Sequence, residues 1–458
     1  VNFMNIKLDA KFLFFGAPLF FYFPFIINGV LYRDDINRAT ENFTYWSWLG
    51  RPVSDLIWKV LSLGGQGPLL EPLTIILSIF ILGFSVNLFY QKTNHLFHDA
   101  GPFVYILLVI SPFYTQNISY QYDGITMSIA VACALIATIV TLKENLISYL
   151  VHCALLVIAM SIYQTTLNMF AILSLAIIFA KTCTHKALPL KYLACIASSF
   201  VLALILYKFL IIDVFISSSR SDISLDNLHT NFINFSSIIA SPFRGYLVSI
   251  FYCIVALSFY SLIRKRGVLI GVTFLFFCVM AFCLIAGPFI LLKEGIAEPR
   301  MLLGFSPFIF LCLYPLRGRI STVSSVIVFS VFTIISYQCA SSIKTQNDYE
   351  KSLAMQSSQE IINAVKEKSS KVYIQGEFPL SKISKNSAAD NEFINKMIAP
   401  SPWYTRMLIN IYYPGTVHID WKGKYLSSHE LEKCNVLKSN ILLTIYNCNN
   451  ITYVEIHK

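Results

Sequence analysis

Long apolar runs recur along the first three quarters of the chain. Between residues 12 and 340 they alternate with short polar segments. A helix needs about 20 apolar residues to cross about 30 Å of hydrocarbon. The pattern predicts a polytopic α-helical membrane protein with about eleven transmembrane helices. The predicted spans are residues 12–31, 69–90, 102–116, 124–142, 147–162, 164–181, 191–213, 244–263, 267–292, 302–316 and 320–340.

The first apolar run resembles a signal sequence but is read here as a membrane anchor. Lys7 and Lys11 precede it, and no A-x-A-like cleavage site follows Leu31. A run of this length without a cleavage site is expected to be retained as a signal anchor.

Lysine and arginine gather in alternate loops. If every predicted span crosses, these residues share one side, which the positive-inside rule makes the cytoplasm. The N-terminus is then cytoplasmic, and residues 32–68, 114–123, 163–164, 214–243, 293–301 and all those after 340 lie outside. The basic residues in question are Lys7, Lys11, Lys92, Lys143, Lys181, Lys186, Lys191, Arg264, Lys265, Arg266, Arg317 and Arg319.

The apolar pattern stops near residue 340. This predicts a transmembrane domain over residues 1–340 and a small α+β domain on the outer side over residues 341–458. Apolar positions at helical spacing predict an amphipathic helix at 346–368. Alternating apolar positions predict strands, and these are residues 371–375, 416–420, 441–446 and 451–456.

Composition agrees with a membrane protein and argues against a nucleic-acid-binding one. Of the 458 residues, 56% are hydrophobic and 13% are charged, about half the charged share of a soluble chain. The net charge is +10. Its basic residues are scattered in short clusters between apolar runs, whereas nucleic-acid binding needs a basic face or stripe.

Two of the eleven cysteines lie outside the apolar part of the chain. Cys434 and Cys448 flank a predicted strand, and the predicted topology places them in an oxidising compartment. A disulfide between them is expected. The alternative is two buried free thiols.

The first outer loop concentrates charge immediately after a membrane span. Asp34 and Asp35 lie there beside Arg33 and Arg38, and Arg51 follows. A partly desolvated carboxylate suits a general base. Guanidinium groups suit a phosphate, because each presents two parallel donors to an oxyanion. A purely structural cluster of ion pairs is the alternative.

Aromatic residues follow in the same loop. Trp46 and Trp48 have flat faces of the kind on which sugars stack, and Trp48 is a candidate substrate contact. The alternative is an interfacial aromatic belt.

The other outer loops add further candidate substrate-binding residues. These are Tyr122, Asp123, Tyr163, Gln164 and Arg300. Each has a structural alternative. Asp123 begins a helix and suits its dipole, Gln164 suits a hydrogen bond between helices, and Arg300 suits snorkelling to the interface.

Several nucleotide and metal motifs are missing from the sequence. It contains no Walker loop, no dinucleotide glycine fingerprint and no His or Cys pair at zinc spacing with thiolate partners. A soluble nucleotide-sugar donor therefore has no obvious binding site. We expect the membrane itself to present any donor.

Together these segments resemble a known family. The Asp34-Asp35 pair with Arg38, the aromatic stretch ending in Gly50-Arg51, the approach to Tyr122-Asp123 and the Tyr163-Gln164 pair are similar to segments of the serotype-converting O-antigen glucosyltransferases of enteric bacteria and their phages. The similarity covers most of residues 12–340. The domain after residue 340 resembles that family only in position and size.

The resemblance implies a fold, a reaction and partners. It implies the multi-helix GT-C architecture in the bacterial inner membrane, with a catalytic carboxylate in the first periplasmic loop. It implies that glucose passes from undecaprenyl phosphate glucose to a sugar of the lipid-linked O-antigen. It also implies a functional link to a flippase and a synthase for the donor.

The expected mechanism is a single displacement that inverts the anomeric carbon. Asp35, or else Asp34, accepts the proton of the acceptor hydroxyl, while Arg38, Arg51 and Arg300 balance charge on the lipid phosphate. No obligatory cofactor or metal is expected, although the three aspartates at 34, 35 and 123 could together hold a divalent ion. Alternatives are a flippase or transporter of lipid-linked sugars, an O-antigen polymerase, or a transferase of another sugar.

Overall fold

The protein was analysed as a computed structural model. It describes residues 10–41, 46–64, 67–98, 100–143, 145–185, 187–215, 224–243, 245–293, 297–365, 371–389, 391–414, 416–418, 426–449 and 451–457. The chain divides into two compact units. The helical unit comprises Val1–Gly29 and Thr44–Ala340, and the sheet unit comprises Val30–Phe43 and Ser341–Lys458.

Helices form most of the described structure. In chain order they are α1 (Ala10–Asn28), α2 (Asp34–Glu41), α3 (Pro52–Leu61), α4 (Leu73–Thr93), α5 (Pro102–Ile106), α6 (Tyr114–Ser119), α7 (Asp123–Val140), α8 (Leu146–Met160), α9 (Thr166–His185), α10 (Leu190–Tyr207), α11 (Asp213–Phe215), α12 (Leu228–Ala240), α13 (Tyr246–Arg266), α14 (Val268–Cys283), α15 (Phe305–Leu313), α16 (Gly318–Ala364), α17 (Lys382–Ala388), α18 (Glu392–Ile398), α19 (Pro402–Tyr412) and α20 (Ser428–Leu431).

Long apolar helices confirm that this is a membrane protein. Among the described residues, seven helices are long and apolar enough to cross a bilayer, and α8 and α14 are shorter apolar helices. The seven are Ala10–Asn28, Leu73–Thr93, Asp123–Lys143, Thr166–Thr184, Leu190–Phe215, Leu247–Arg266 and Gly318–Ala364. The count of about eleven crossings and the GT-C architecture stay predictions.

Two of the predicted spans are not single long helices. Residues 102–116 contain α5 and the start of α6, and residues 302–316 contain the nine-residue α15. Nine helical residues extend about 14 Å, half of the hydrocarbon thickness. Residues 104–120 are all buried inside the protein. Irregular backbone is tolerated at membrane depth where protein surrounds it, which explains why these apolar stretches need not be continuous helices.

The sheet unit contains a five-stranded mixed sheet. Its strands are β1 (Lys371–Gln375), β2 (Thr416–His418), β3 (Asn435–Ser439), β4 (Leu443–Cys448) and β5 (Ile451–Ile456), in the order β2-β1-β5-β4-β3. β1 pairs in parallel with β2 and β5, while β4 pairs antiparallel with β3 and β5. The sequence predicts four of these strands and misses β3.

The predicted amphipathic helix at 346–368 coincides, as far as Ala364, with the second half of a longer helix, and residues 366–368 lie outside the described residues. α16 runs without a break through 47 residues, about 70 Å, although only its first part is apolar enough for a membrane. Beyond Ala340 the helix belongs to the sheet unit. Ala354 and Ile361 there are fully buried in the core of that unit.

The core of the sheet unit includes a residue from the first predicted outer loop. Ile36 is fully buried in one apolar cluster with Val372 of β1, Val454 of β5 and Met407 of α19. The sequence-based division at residue 340 places residues 30–43 with the helices, whereas the contacts group them with the sheet unit. The helix that carries the candidate carboxylates is therefore part of a discontinuous domain.

Candidate functional site

Four loop segments of the helical unit contact one another through polar side chains. They are residues 46–51, 116–123, 163–164 and 298–300, here called the loop cluster. All four lie in loops that the sequence predicts to be on the outer side. The cluster adjoins the N-terminal ends of α7 and α9, since Asp123 begins α7 and Gln164 lies two residues before α9.

Arg51 is held by two adjacent residues of the turn before α9. Its Nε donates to Oε1 of Gln164 over 3.3 Å, and its guanidinium lies 4.9 Å from the centre of the Tyr163 ring. Gln164 in turn donates to the carbonyl of Leu49 over 3.1 Å and to the hydroxyl of Tyr207 over 2.9 Å. The half-buried guanidinium is thus fixed by partners more than 100 residues away in sequence.

Arg300 contacts Tyr163 through its main chain. The Tyr163 hydroxyl donates to the Arg300 carbonyl over 2.7 Å. The Arg300 amide donates to Oε1 of Gln116 over 2.8 Å, and its guanidinium donates to the Tyr120 hydroxyl over 2.8 Å. Gln116 also donates to Glu298 over 3.1 Å. Tyr163 therefore contacts the side chain of Arg51 and the main chain of Arg300, and both arginines are half-buried in the loop cluster. A guanidinium held in this way suits an oxyanion.

Asp123 is enclosed by aromatic side chains. It is 3% exposed, and the indole Nε1 of Trp46 donates to its carboxylate. Trp46 stacks on Trp58 with ring centres 6.1 Å apart, and Trp58 donates to the carbonyl of Tyr122 over 2.7 Å. This indole-bonded carboxylate at the first residue of α7 also complements the helix dipole.

Local sequence explains the shape of the 46–51 turn. Asp55, in the first turn of α3, accepts from the backbone amides of Trp46 and Ser47 over 3.2 and 2.7 Å. Gly50 adopts φ 72° at the end of the turn, a left-handed conformation that favours glycine. Pro52 then begins α3, where its missing amide hydrogen costs no helical hydrogen bond.

The candidate carboxylates lie in the sheet unit, on the two-turn helix α2. Asp35 is fully buried, and its Oδ2 accepts from the Tyr32 amide over 3.1 Å. Asp34 is half-buried. Both are in the first turn of α2, where the helix dipole stabilises negative charge. Arg38, one turn later, is buried with 7% exposure.

Side chains on both sides of Asp35 fasten α2 to the rest of the sheet unit. The Tyr32 hydroxyl donates to the carbonyl of Met397 over 2.7 Å. Arg33 donates to the carbonyl of Lys396 over 2.7 Å. Ile36 enters the apolar core directly after Asp35. Hydrogen bonds before the carboxylate and an apolar anchor after it define the position of Asp35 within this unit.

A buried carboxyl of α16 supports the same segment. Burial raises the pKa of Glu350 to about 7, against opposing effects of a hydrogen bond from Gln346 and the charge of Arg33. Gln346 donates to the Glu350 carboxyl over 2.8 Å. Asn347 donates to the carbonyl of Leu31 over 3.2 Å and to the Tyr404 hydroxyl over 2.6 Å. The sheet unit thus contains a group that titrates near neutral pH beside the anchor of α2.

The structure brings several of the predicted residues together and separates others. Arg51, Tyr163, Gln164 and Arg300 form one set of contacts, and Tyr122 with Asp123 forms another, both in the loop cluster. Trp48 is 66% exposed, whereas its neighbour Trp46 contacts Asp123. Cys434 and Cys448, for which a disulfide was expected, are joined by one.

Some residues of the loop cluster, or in contact with it, are not singled out by the sequence. Gln116 lies in a predicted outer loop with several other polar residues, and Tyr207 lies in an apolar stretch. Asp55 and Trp58 do carry a signal in the sequence. They are three positions apart and so share one face of α3, the helix that Pro52 begins. Within the described ranges, no three His, Cys, Asp or Glu side chains form a group suited to a metal ion.

Comparison with known proteins identifies the family. The chain is 25% identical over 392 residues to an uncharacterised 55.3 kDa protein from the gtrB 5' region of Salmonella phage P22, covering 76% of this chain and 78% of that protein. No solved structure matches the chain. Residues 23–312 match the family described as Glucosyl transferase GtrII. Since this match covers more than half of the chain, the protein belongs to the GtrII glucosyl transferase family.

Proposed function

We propose that the protein transfers glucose from undecaprenyl phosphate glucose to a sugar of the lipid-linked O-antigen. The reaction takes place on the periplasmic face of the bacterial inner membrane. Family membership supports glucosyl transfer, and the apolar helices support a donor presented by the bilayer. The donor reaches this face through a partner synthase and a partner flippase.

The observation that carries this proposal is that the loop cluster holds two arginine side chains, Arg51 against the Tyr163 ring and Arg300 against the Tyr120 hydroxyl. A lipid phosphate that leaves the sugar needs positive charge beside its oxygens. Both guanidinium groups are half-buried and held by side-chain contacts to distant loops. Such groups are already oriented, so that little conformational entropy is lost when phosphate binds.

In the proposed reaction Asp35 is the general base. It accepts the proton of the acceptor hydroxyl while that oxygen bonds to the anomeric carbon of glucose. The bond from the same carbon to the phosphate oxygen breaks, and the phosphate departs with the electron pair beside Arg51 and Arg300. Attack from the opposite face inverts the anomeric configuration. Asp35 is fully buried whereas Asp34 is half-buried, and the more enclosed position favours Asp35 for this role.

The remaining candidates have supporting roles in this proposal. Arg38, one turn after the carboxylates on α2, balances their charge. Asp123 and Tyr122 order the aromatic wall of the loop cluster, and the exposed ring of Trp48 provides a face for a sugar. No cofactor or metal takes part in a step, so glucose transfer in excess chelator is expected to continue.

The test is a transfer assay with purified protein, synthetic polyprenyl phosphate glucose and lipid-linked acceptor. Loss of a general base costs about 10²- to 10⁴-fold, so Asp35→Asn should lower kcat by that range. Asp34→Asn should lower it less. Asp226→Asn, an exposed carboxylate of the helical unit, is the matched control and should transfer normally.

The same variants separate the enzyme from a carrier of lipid-linked sugars. An Asp35→Asn protein that still binds donor but transfers no glucose supports the enzyme. Full transfer activity in Asp35→Asn and in Asp34→Asn would exclude this mechanism. If the Asp226→Asn control also lost transfer, the losses in the Asp35 and Asp34 variants would be explained by misfolding.

A further inference from the structure

A second polar site lies at the opposite end of the helical unit from the loop cluster. α9 begins beside Gln164 and is 20 residues long, so its far end is about 30 Å away. Residues 96–98, 180–183, 261–266 and 314–317 line an open pocket there, with about 400 Å³ of empty space that includes open solvent. The side chains used below are Phe97, His98, Lys265, Arg266, Tyr314 and Arg317.

The pocket is strongly basic. Four of its lining residues are basic, on three separate segments of the chain, and none of the described lining residues is acidic. Lys265 and Arg317 are 52 positions apart in sequence, and both are exposed at the pocket. The fold therefore concentrates positive charge that the sequence distributes over several loops.

Arg266 has a structural role in this pocket. The Arg266 guanidinium donates to the carbonyl of Cys183 near the C-terminal end of α9. A cation there offsets the partial negative charge of unpaired helix carbonyls.

The inner wall of the pocket is apolar. Phe97, Leu262 and Tyr314 line it and are buried. A pocket with cationic side chains at its mouth and aromatic side chains inside is complementary to an amphipathic anion. Basic pockets between membrane helices on the cytoplasmic side are suited to anionic lipid headgroups. All four lining segments lie at loops that the sequence predicts to be cytoplasmic.

We propose that this pocket binds the phosphate group of an anionic phospholipid from the leaflet at this end of the helices. Lys265 and Arg317 contact the phosphate oxygens, and His98 donates a further hydrogen bond. The apolar wall covers the glycerol and the first acyl carbons. This site is independent of glucosyl transfer and of the carboxylates of α2.

The chain offers a matched pair of controls. Arg264 and Arg319 are exposed basic neighbours of Lys265 and Arg317 in the same two loops, but they do not line the pocket. Lys265→Gln/Arg317→Gln and Arg264→Gln/Arg319→Gln remove the same charge from the same loops. Only the first pair removes it from the pocket.

The experiment measures lipid bound to the purified protein by native mass spectrometry, with phosphatidylglycerol and phosphatidylcholine in separate titrations. Each basic group near a membrane surface contributes about 1 kcal/mol, so Lys265→Gln/Arg317→Gln should weaken phosphatidylglycerol binding about tenfold or more. The Arg264→Gln/Arg319→Gln control should bind phosphatidylglycerol with an affinity within about twofold of the parent's. Phosphatidylcholine binding should not differ among the three proteins.

Three results would overturn the proposal. Equal weakening of phosphatidylglycerol binding in both double variants would mean that general surface charge, and not the pocket, attracts the lipid. Equal affinity of the parent for the two lipids would remove the anionic preference. Displacement of phosphatidylglycerol by an equal concentration of glycerol phosphate would assign the pocket to a soluble ligand. If the double variant does not fold, the single change Lys265→Gln against Arg264→Gln gives the same comparison.

Discussion

The candidate arginines and the candidate base are held in position by different means. In the helical unit, Arg51 and Arg300 are fixed by hydrogen bonds and ring contacts between loops. In the sheet unit, Asp35 is positioned by the apolar anchor Ile36 and by hydrogen bonds from Tyr32 and Arg33. The first arrangement consists of polar contacts alone, whereas the second adds an apolar side chain buried in a core to its hydrogen bonds.

This difference predicts how each region responds to substitution. A polar network loses about 1 kcal/mol with each hydrogen bond removed, so single changes in the loop cluster should weaken function gradually. Removal of a buried aliphatic side chain costs about 2–5 kcal/mol. A single change at the anchor of α2 should therefore have a much larger effect.

The largest effect is expected from Ile36→Asp, which places a charge in the sheet-unit core. We expect loss of the cooperative fold of that unit, measured as loss of amide hydrogen-exchange protection in β1 and β5. Ala39→Asp is the control, because Ala39 is exposed on the same helix. Protection that survives in Ile36→Asp would show that α2 is not anchored in this way.

Glu350→Gln should alter the pH dependence of the same unit. The raised pKa of Glu350 means that the folded state binds its proton more tightly than the unfolded state. This contribution to stability is present below the unfolded pKa of about 4.5 and is lost as pH rises through about 7. Above pH 7 the variant should be more stable than the parent by on the order of 3 kcal/mol.

Hydrogen exchange of β1 at pH 5 and pH 8 measures this effect. At pH 5 the two proteins should differ little, because the Glu350 carboxyl is then largely protonated in the folded parent. Asp348→Asn is the control, since Asp348 is an exposed carboxylate on the same helix. An equal gain for both variants would assign the effect to net charge.

Loss of the disulfide should destabilise the sheet unit without affecting the base. Cys434 and Cys448 join β3 at the sheet edge to β4, far along the sheet order from β1. Cys434→Ser/Cys448→Ser should lower the free energy of unfolding by about 2–3 kcal/mol. Thermal unfolding should shift down while glucose transfer at low temperature is unchanged. A parallel loss of transfer would show that the hairpin contributes to activity.

The smallest effect is expected from Tyr163→Phe in the loop cluster. The change removes the hydrogen bond to the Arg300 carbonyl but keeps the ring beneath Arg51. A loss of about 1 kcal/mol corresponds to about fivefold lower kcat/KM. Tyr260→Phe, at an exposed ring, is the control. A loss greater than 100-fold would indicate that the Tyr163 hydroxyl acts directly in the reaction.

The sequence predicts much of the helical unit, because apolar runs of membrane length have few alternatives. It is less informative at residues 102–116 and 302–316. Hydropathy cannot distinguish a lipid-facing helix from irregular backbone buried within protein. Both stretches are apolar because they are buried within the protein. The side on which each loop lies stays a prediction, which depends on the distribution of lysine and arginine.

The sequence proposes residues for the candidate site, but it does not predict the contacts among them. Arg51, Gln164 and Arg300 stand out because they are polar at the ends of apolar runs. The partners Gln116 and Tyr207 do not, since their roles depend on residues more than 40 positions away. Membership of residues 30–43 in the sheet unit was unpredictable for the same reason. β3 was missed because its five residues have little apolar alternation.

The discontinuity of the sheet unit also has a consequence during synthesis. Ile36 emerges from the ribosome more than 400 residues before Val454 of β5, and both belong to one apolar core. At about 5–20 residues per second, the interval is roughly 20 to 80 s. During that time Asp35 lacks the core that orders its helix. Nascent chains that end before β5 should therefore be unable to transfer sugar, even when every membrane helix has been inserted.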